Sequence, residues 1–212
     1  VRATTGPVLV ISGPGSGKTR CLTHRIAYLV ASGIHPERIL AVTFTNKAAN
    51  EIRERVEKLL KKTDARLLKR TARPTLGTFH SIGLRILRRE IQHLGYGKNF
   101  AISDSDDQLA VTKKVVAGLG LDTKRFNPAG FLHKISKLKT DLILPDEFEP
   151  HGFSEKTLAR VYAGYQQELK RLDALDFDDL IVLTVKLFQK HPEILARYPK
   201  ARLSFLDAPV LT

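Results

Sequence analysis

The chain has 212 residues, 42% of them hydrophobic, enough for one large domain or one domain with an insertion. No run approaches the roughly 18 apolar residues of a membrane span, no signal peptide is visible, and the lone Cys21 excludes an internal disulfide and suits a reducing, cytoplasmic setting. The 35 Lys and Arg against 22 Asp and Glu leave a net charge of +13, which favours nucleic acid as a partner over a merely solvated basic surface.

Residues 7–12 (PVLVIS) are short, apolar and β-branched and predict a buried strand. A glycine loop follows, then a helix from about Thr19 to Ser32 with Leu22, Ile26 and Leu29 or Val30 on one face and Gly33 as its stop. Residues 39–44 (ILAVTF) predict a second strand. Thr45 or Asn46 can cap the next helix, which has an apolar stripe of Ala49, Ile52, Val56, Leu59 and Leu60. Its other face carries Arg53, Glu54, Glu57 and Lys58. Residues 75–79 (TLGTF) predict a third strand, leading into a helix through Ile82, Ile86 and Ile91. Strands and helices alternating with short links predict an α/β fold, a parallel sheet covered by helices.

From about residue 95 to 174 the pattern is helical, with one short strand candidate, FAIS at 100–103. Ser105 with Gln108 has capping-box spacing. Asn127 before Pro128 marks another start, and Ser154 precedes a stripe of Leu158, Val161, Tyr162, Tyr165, Leu169 and Leu172. A loop at 142–153 with two prolines lies between them. Residues 176–190 predict a further helix, and 203–206 (LSFL) a fourth strand. The expected organisation is a core of residues 1–92 and 175–212, incomplete at both ends, with an all-helical insertion at 93–174. The chain lacks methionine, begins almost on its first strand and stops just after an apolar run, so both ends read as cut.

SGPGSGKTR, residues 12–20, carries the first chemistry. A nucleoside triphosphate is a compact polyanion, and a loop that wraps it needs inward-facing amides, which glycines allow. The helix start adds its positive dipole end. Lys18 would reach the β- and γ-phosphates, and Thr19 would place its hydroxyl on Mg²⁺. Ser12, Gly13, Pro14, Gly15, Ser16 and Gly17 form the candidate cradle for ATP. Ser12 stands where the strict pattern has its first glycine. A bare glycine turn would not explain Gly17-Lys18-Thr19 at the helix start.

The second chemistry sits at the carboxyl ends of the next two strands, where open α/β sheets bind ligands. Thr43, Thr45, Asn46 and Lys47 offer donors to phosphate, and Phe44 could either close the core or stack on a base. Thr78 and His80 could touch a nucleic-acid backbone, with Phe79 packed beneath; His80 alone could also be a plain helix-start residue. Leu87-Arg88-Arg89 and the lysine pairs 61–62 and 113–114 read as solvated faces.

Three stretches, SGPGSGKTR (12–20), ILAVTFTNKAANEIRERV (39–56) and GTFHSIGLRILRR (77–89), resemble consecutive motifs of UvrD/Rep-like superfamily 1 DNA helicases, and ALDFDDL (174–180) is similar to wording at the end of that family's helical insertion. The resemblance implies a RecA-like, P-loop fold. It also implies an ATP-driven motor that walks 3′ to 5′ on single-stranded DNA and opens single/double-strand junctions, working with a second RecA-like half. It places Arg20, which could equally be a solvated helix residue, near the nucleotide base and tilts Phe44 and His80 towards DNA. The family expects an apolar run followed by Asp-Glu-x-Gln-Asp; here SFLDAPVLT gives Asp207 for Mg²⁺ but Ala208 and Pro209 after it. Asp176, Asp178 and Asp179 read as capping and solvating a helix. The chain is therefore expected to bind nucleotide weakly and hydrolyse little. A non-enzymatic nucleic-acid or partner-binding module is the alternative, and an unrelated small kinase the more distant one.

Overall fold

The computed structural model describes residues 13, 15–63, 73–123, 125–198 and 202–205, the last four together with 62 and 63 by backbone only. The predicted strand at 7–12, with Ser12, Pro14 and Asp207, lies outside them. The chain divides into two compact units, residues 1–82 with 196–212, and residues 83–195.

In the first unit α1 spans Lys18–Ala31 and ends as predicted: the Gly33 and Ile34 amides return to the Val30 and Leu29 carbonyls at 3.0 and 3.1 Å. Strand β1 (Ile39–Thr43) follows, then α2 (Asn46–Thr63) and β2 (Thr75–Thr78). A strand at Arg202–Phe205, here β5, overlaps the predicted 203–206. The sheet order is β2-β1-β5, parallel throughout, with Thr43 opposite Thr78. Leu22, Ile26, Leu29 and Val30 of α1 pack with Ile52, Val56 and Leu60 of α2 and with Ile39 and Ala41 of β1. A strand alternates its faces, so Ile39 and Ala41 share this core while Leu40 and Val42 point the other way.

The second unit is larger than the predicted insertion and takes in most of α3 (Phe79–Glu90) and all of α7 (Phe177–Lys190). Between them lie β3 (Ala101–Ile102), α4 (Ser105–Gly118), α5 (Pro128–Thr140), α6 (Gly152–Arg171) and β4 (Ala174–Leu175). The short Pro192–Leu195 helix, α8, closes it. β4 was not foreseen; two residues are too few for a period-2 signal, yet they pair in parallel with β3. Its core gathers Val116 of α4, Ile135 of α5, and Leu158, Val161, Tyr162, Tyr165 and Leu169 of α6.

Several local readings shift. Asp104, not Ser105, caps α4, accepting from the Asp106 and Asp107 amides at 2.9 Å each, because a carboxylate one residue earlier reaches both. Asn127 caps α5 as expected, with Pro128 in its first turn. α6 begins two residues before Ser154, and Leu172, just past its end, is half exposed. On α3 the buried positions are Gly83 and Leu87, while Ile82 and Ile86 are only half buried. Gly83 lets α3 approach α7: a Cβ there would lie 2.4 Å from the Leu180 carbonyl oxygen. Arg88 is no solvated charge, since its guanidinium lies 3.9 Å from the Phe100 ring centroid and donates to the Lys98 carbonyl.

The largest correction concerns Asp176 and Asp179. They do form a capping box at the start of α7, but neither is solvated. Lys139 of α5 is fully buried between them, 2.6 Å from Asp176 and 2.8 Å from Asp179. Tyr165 donates to Asp176 at 2.9 Å and the Gln166 amide to Asp179 at 3.2 Å. A buried charge needs such partners. Burial pushes the Asp179 carboxyl up to about 6, against the pull of Lys139. Burial also pulls on the Lys139 ammonium, but the two carboxylates outweigh it and hold its pKa above the usual value.

Candidate nucleotide and nucleic-acid site

The glycine loop is shaped by its backbone. Gly15 and Gly17 have φ of 72° and 90°, the left-handed region that side chains with a Cβ avoid. Gly17 is the N-cap of α1 and brings no side chain, and the first turn holds no acid. The opening amides of α1 are thus offered to an anion. The Ser16 hydroxyl donates to the Gly13 carbonyl at 2.6 Å, and the Lys18 ammonium reaches the same oxygen at 3.0 Å. The lysine is therefore folded back over the loop.

These residues line one cavity of about 250 Å³, bounded by Gly13, Gly15 to Arg20, and two residues of α2. The sequence reading missed that pair, Glu51 and Arg55, which are ion-paired with each other. Their spacing of four puts them on one face of α2, but only the packing of α2 beside α1 brings that face to the loop. Lys18, Arg20 and Arg55 give the cavity a positive excess over Glu51. Glycine amides, a lysine, a threonine hydroxyl and two guanidinium groups suit a polyphosphate with its cation.

The second candidate surface is the carboxyl edge of β1 and β2. The register sets Thr43 beside Thr78, so the next residues, Phe44 and Phe79, emerge side by side. Their rings are 6.0 Å apart at 54°. Phe44 is 66% exposed, so it does not close the core. Phe79, expected beneath the edge, is 39% exposed. Thr43 and Thr78 are buried and turn inward. The Thr43 hydroxyl donates to the Thr45 carbonyl at 3.1 Å and accepts from the Thr45 amide at 3.2 Å. Thr78 and Ser81 exchange equivalent bonds at 2.9 to 3.2 Å. Thr45 caps α2 through the Ala48 amide. Asn46, Lys47 and His80 are exposed on the same edge. Arg53 braces α2 on the sheet by donating to the Leu76 carbonyl at 3.0 Å.

Comparison with known proteins gives the family. The chain is 48% identical over 202 residues to the ATP-dependent DNA helicase PcrA of Leuconostoc citreum, covering 93% of the chain and 26% of that relative. It is 46% identical over 203 residues to the PcrA of Bacillus subtilis strain 168, covering 94% of the chain and 26% of the relative. The chain spans about a quarter of the length of these curated relatives. Residues 1–204 match the model of the UvrD/REP helicase N-terminal domain, and the chain belongs to that family.

Proposed function

We propose that the chain is the ATP-binding, single-stranded-DNA-contacting N-terminal portion of an ATP-dependent 3′–5′ DNA helicase acting in the cytoplasm. The carrying observation is that one small unit holds both a lysine-closed glycine loop and an exposed aromatic pair at the carboxyl edge of its sheet. Lys18 and the backbone amides of Gly13, Gly15, Ser16 and Gly17 hold the ATP phosphates, with Ser12 and Pro14 completing the loop. Thr19, with Asp207, holds Mg²⁺, and Arg20 lies along the base. When bound, Mg²⁺ would neutralise charge on the phosphates. Arg55, kept in place by Glu51, adds a further cation to the phosphate cavity.

On the other surface Phe44 stacks on a base, while Asn46, Lys47 and His80 bind the backbone of the strand. Thr43, Thr45 and Thr78 act by holding the turns that project these groups. Single/double-strand junctions and a second RecA-like half are the partners this reading implies. α3 and α7 are then the part of the RecA-like core, 1–92 with 175–212, on which the helical insertion 93–174 is built.

Ala208 supports a second reading, a nucleic-acid-binding module without turnover, because a methyl group accepts no proton from an attacking water. ATP binding and steady-state hydrolysis with Mg²⁺, with and without oligothymidine, separate the two. Lys18→Ala should lower nucleotide affinity at least tenfold. DNA-stimulated turnover abolished by Lys18→Ala would exclude the module reading, and unchanged nucleotide affinity in that variant would sink the ATP-binding one.

A further inference from the structure

The helical unit carries a groove that the nucleotide and DNA reading does not use. It is a cavity of about 400 Å³ where the start of α5 meets the start of α6. Phe126 and Phe131 form one wall, their rings nearly parallel at 13° with centroids 6.5 Å apart. Phe153, in the first turn of α6, stands at the rim with 77% of its surface exposed, the most exposed large apolar side chain among the described residues. It lies off the buried stripe of its helix, so packing within the unit does not explain it. Its backbone is held nevertheless, the Phe153 carbonyl accepting from the Thr157 hydroxyl at 3.0 Å.

The charged side chains of the lining have one sign. Arg125 and Lys134 flank the phenylalanines, and among the described residues no carboxylate lines the cavity. Arg125 lies 5.7 Å from the Phe126 centroid. Glu155, the acid next along α6, is engaged by the His151 amide at 2.6 Å. A concave aromatic site with a cationic rim matches an aromatic anchor flanked by carboxylates. A nucleic acid would need cations strung along its backbone. Residues 83–195, however, hold 17 Lys and Arg against 16 Asp and Glu, a net of +1.

We propose that this groove docks an acidic, phenylalanine-bearing segment of a separate protein. The aromatic side chain enters between Phe131 and Phe153, and the flanking carboxylates meet Arg125 and Lys134.

The test titrates the full 212-residue chain, ¹⁵N-labelled, with a short peptide of glutamates around one phenylalanine. Amide shifts should concentrate at residues 125–134 and 153–157. Phe153→Ala and Arg125→Glu should each raise the Kd at least tenfold. Both sites are exposed, and circular dichroism checks that the variants fold. A peptide with lysines for glutamates should bind at least tenfold more weakly. Oligothymidine should leave the groove amides unmoved. The proposal is overturned by absence of binding at millimolar peptide, by equal binding of the charge-swapped peptide, or by unchanged affinity in the variants. It is equally overturned if oligothymidine shifts the groove amides and Phe153→Ala removes that effect.

Discussion

Residues 1–82 and 196–212 hold 18 Lys and Arg against 6 Asp and Glu, a net of +12, while residues 83–195 are nearly neutral at +1. The two units also place their working charges differently. In the P-loop unit Lys18 is half exposed and Arg20, Lys47 and Arg55 are exposed, beside a loop and a strand edge. In the helical unit the defining ions are Lys139, Asp176 and Asp179, sealed from solvent by α5, α6 and α7. In the proposed function the exposed charge of the P-loop unit serves recognition, whereas the buried ions of the helical unit serve cohesion. The whole-chain figure of +13 hides this, and only the division into units shows where a polyanion would be drawn.

Removing one member of the sealed cluster should give the largest effect. Lys139→Met leaves two buried carboxylates without their cation and should cost about 3–5 kcal/mol, as losing one partner of a buried pair does. Amide exchange would locate that loss in residues 83–195; equal loss of protection around α1 and β1 would break the contrast between the units. Phe44→Ala should act oppositely, weakening binding to oligothymidine by about 1–3 kcal/mol with little change in stability. An unchanged affinity in a fluorescence-anisotropy titration would remove the aromatic edge from the DNA surface. Gly83→Ala should destabilise the helical unit by about 1–3 kcal/mol, since its Cβ would press on the Leu180 carbonyl. A urea midpoint equal to that of the parent would show that α3 shifts freely.

The smallest expected effect is that of pH. Burial raises the folded-state pKa of Asp179 to about 6, above that of an unfolded aspartate. Its contribution is therefore full below about pH 4 and is lost as pH rises through about 6. Acidifying from pH 7 to 5 should thus favour the folded helical unit by about 1 kcal/mol relative to Asp179→Asn. Parallel pH dependences of the two urea midpoints would contradict this.

Long amphipathic stretches were legible in the sequence, and so was the P-loop. α1, α2 and α6 announce themselves through apolar spacing, and Gly17-Lys18-Thr19 names its own chemistry. The larger misreadings share a cause: they depend on a partner far along the chain. Asp176 and Asp179 look like surface caps until Lys139, about 40 residues earlier, is brought between them. Glu51 and Arg55 carried no signal in the sequence, and only the packing of α2 beside the glycine loop brings them to the cavity. Ile82 and Ile86 fit a helical stripe as well as Leu87 does, and only Gly83, by admitting α7, decides which face turns in.

The pairing of β1 with β5 bears on how the chain reaches its native state. Ile39 meets Arg202, so this contact closes a loop of about 160 residues. The intervening helical unit is contiguous in sequence and rich in neighbours close along the chain, the kind of structure that forms quickly. Within it the early turn at Ile91–Leu94 and the late α7–α8 junction already meet, the His93 and His191 rings lying 5.2 Å apart. Helical folding should therefore shorten the remaining search, and the last strand should join the sheet late. A denatured chain should recover helix before it recovers β1–β5 pairing, and a defect in the helical unit should slow completion of a sheet it does not belong to.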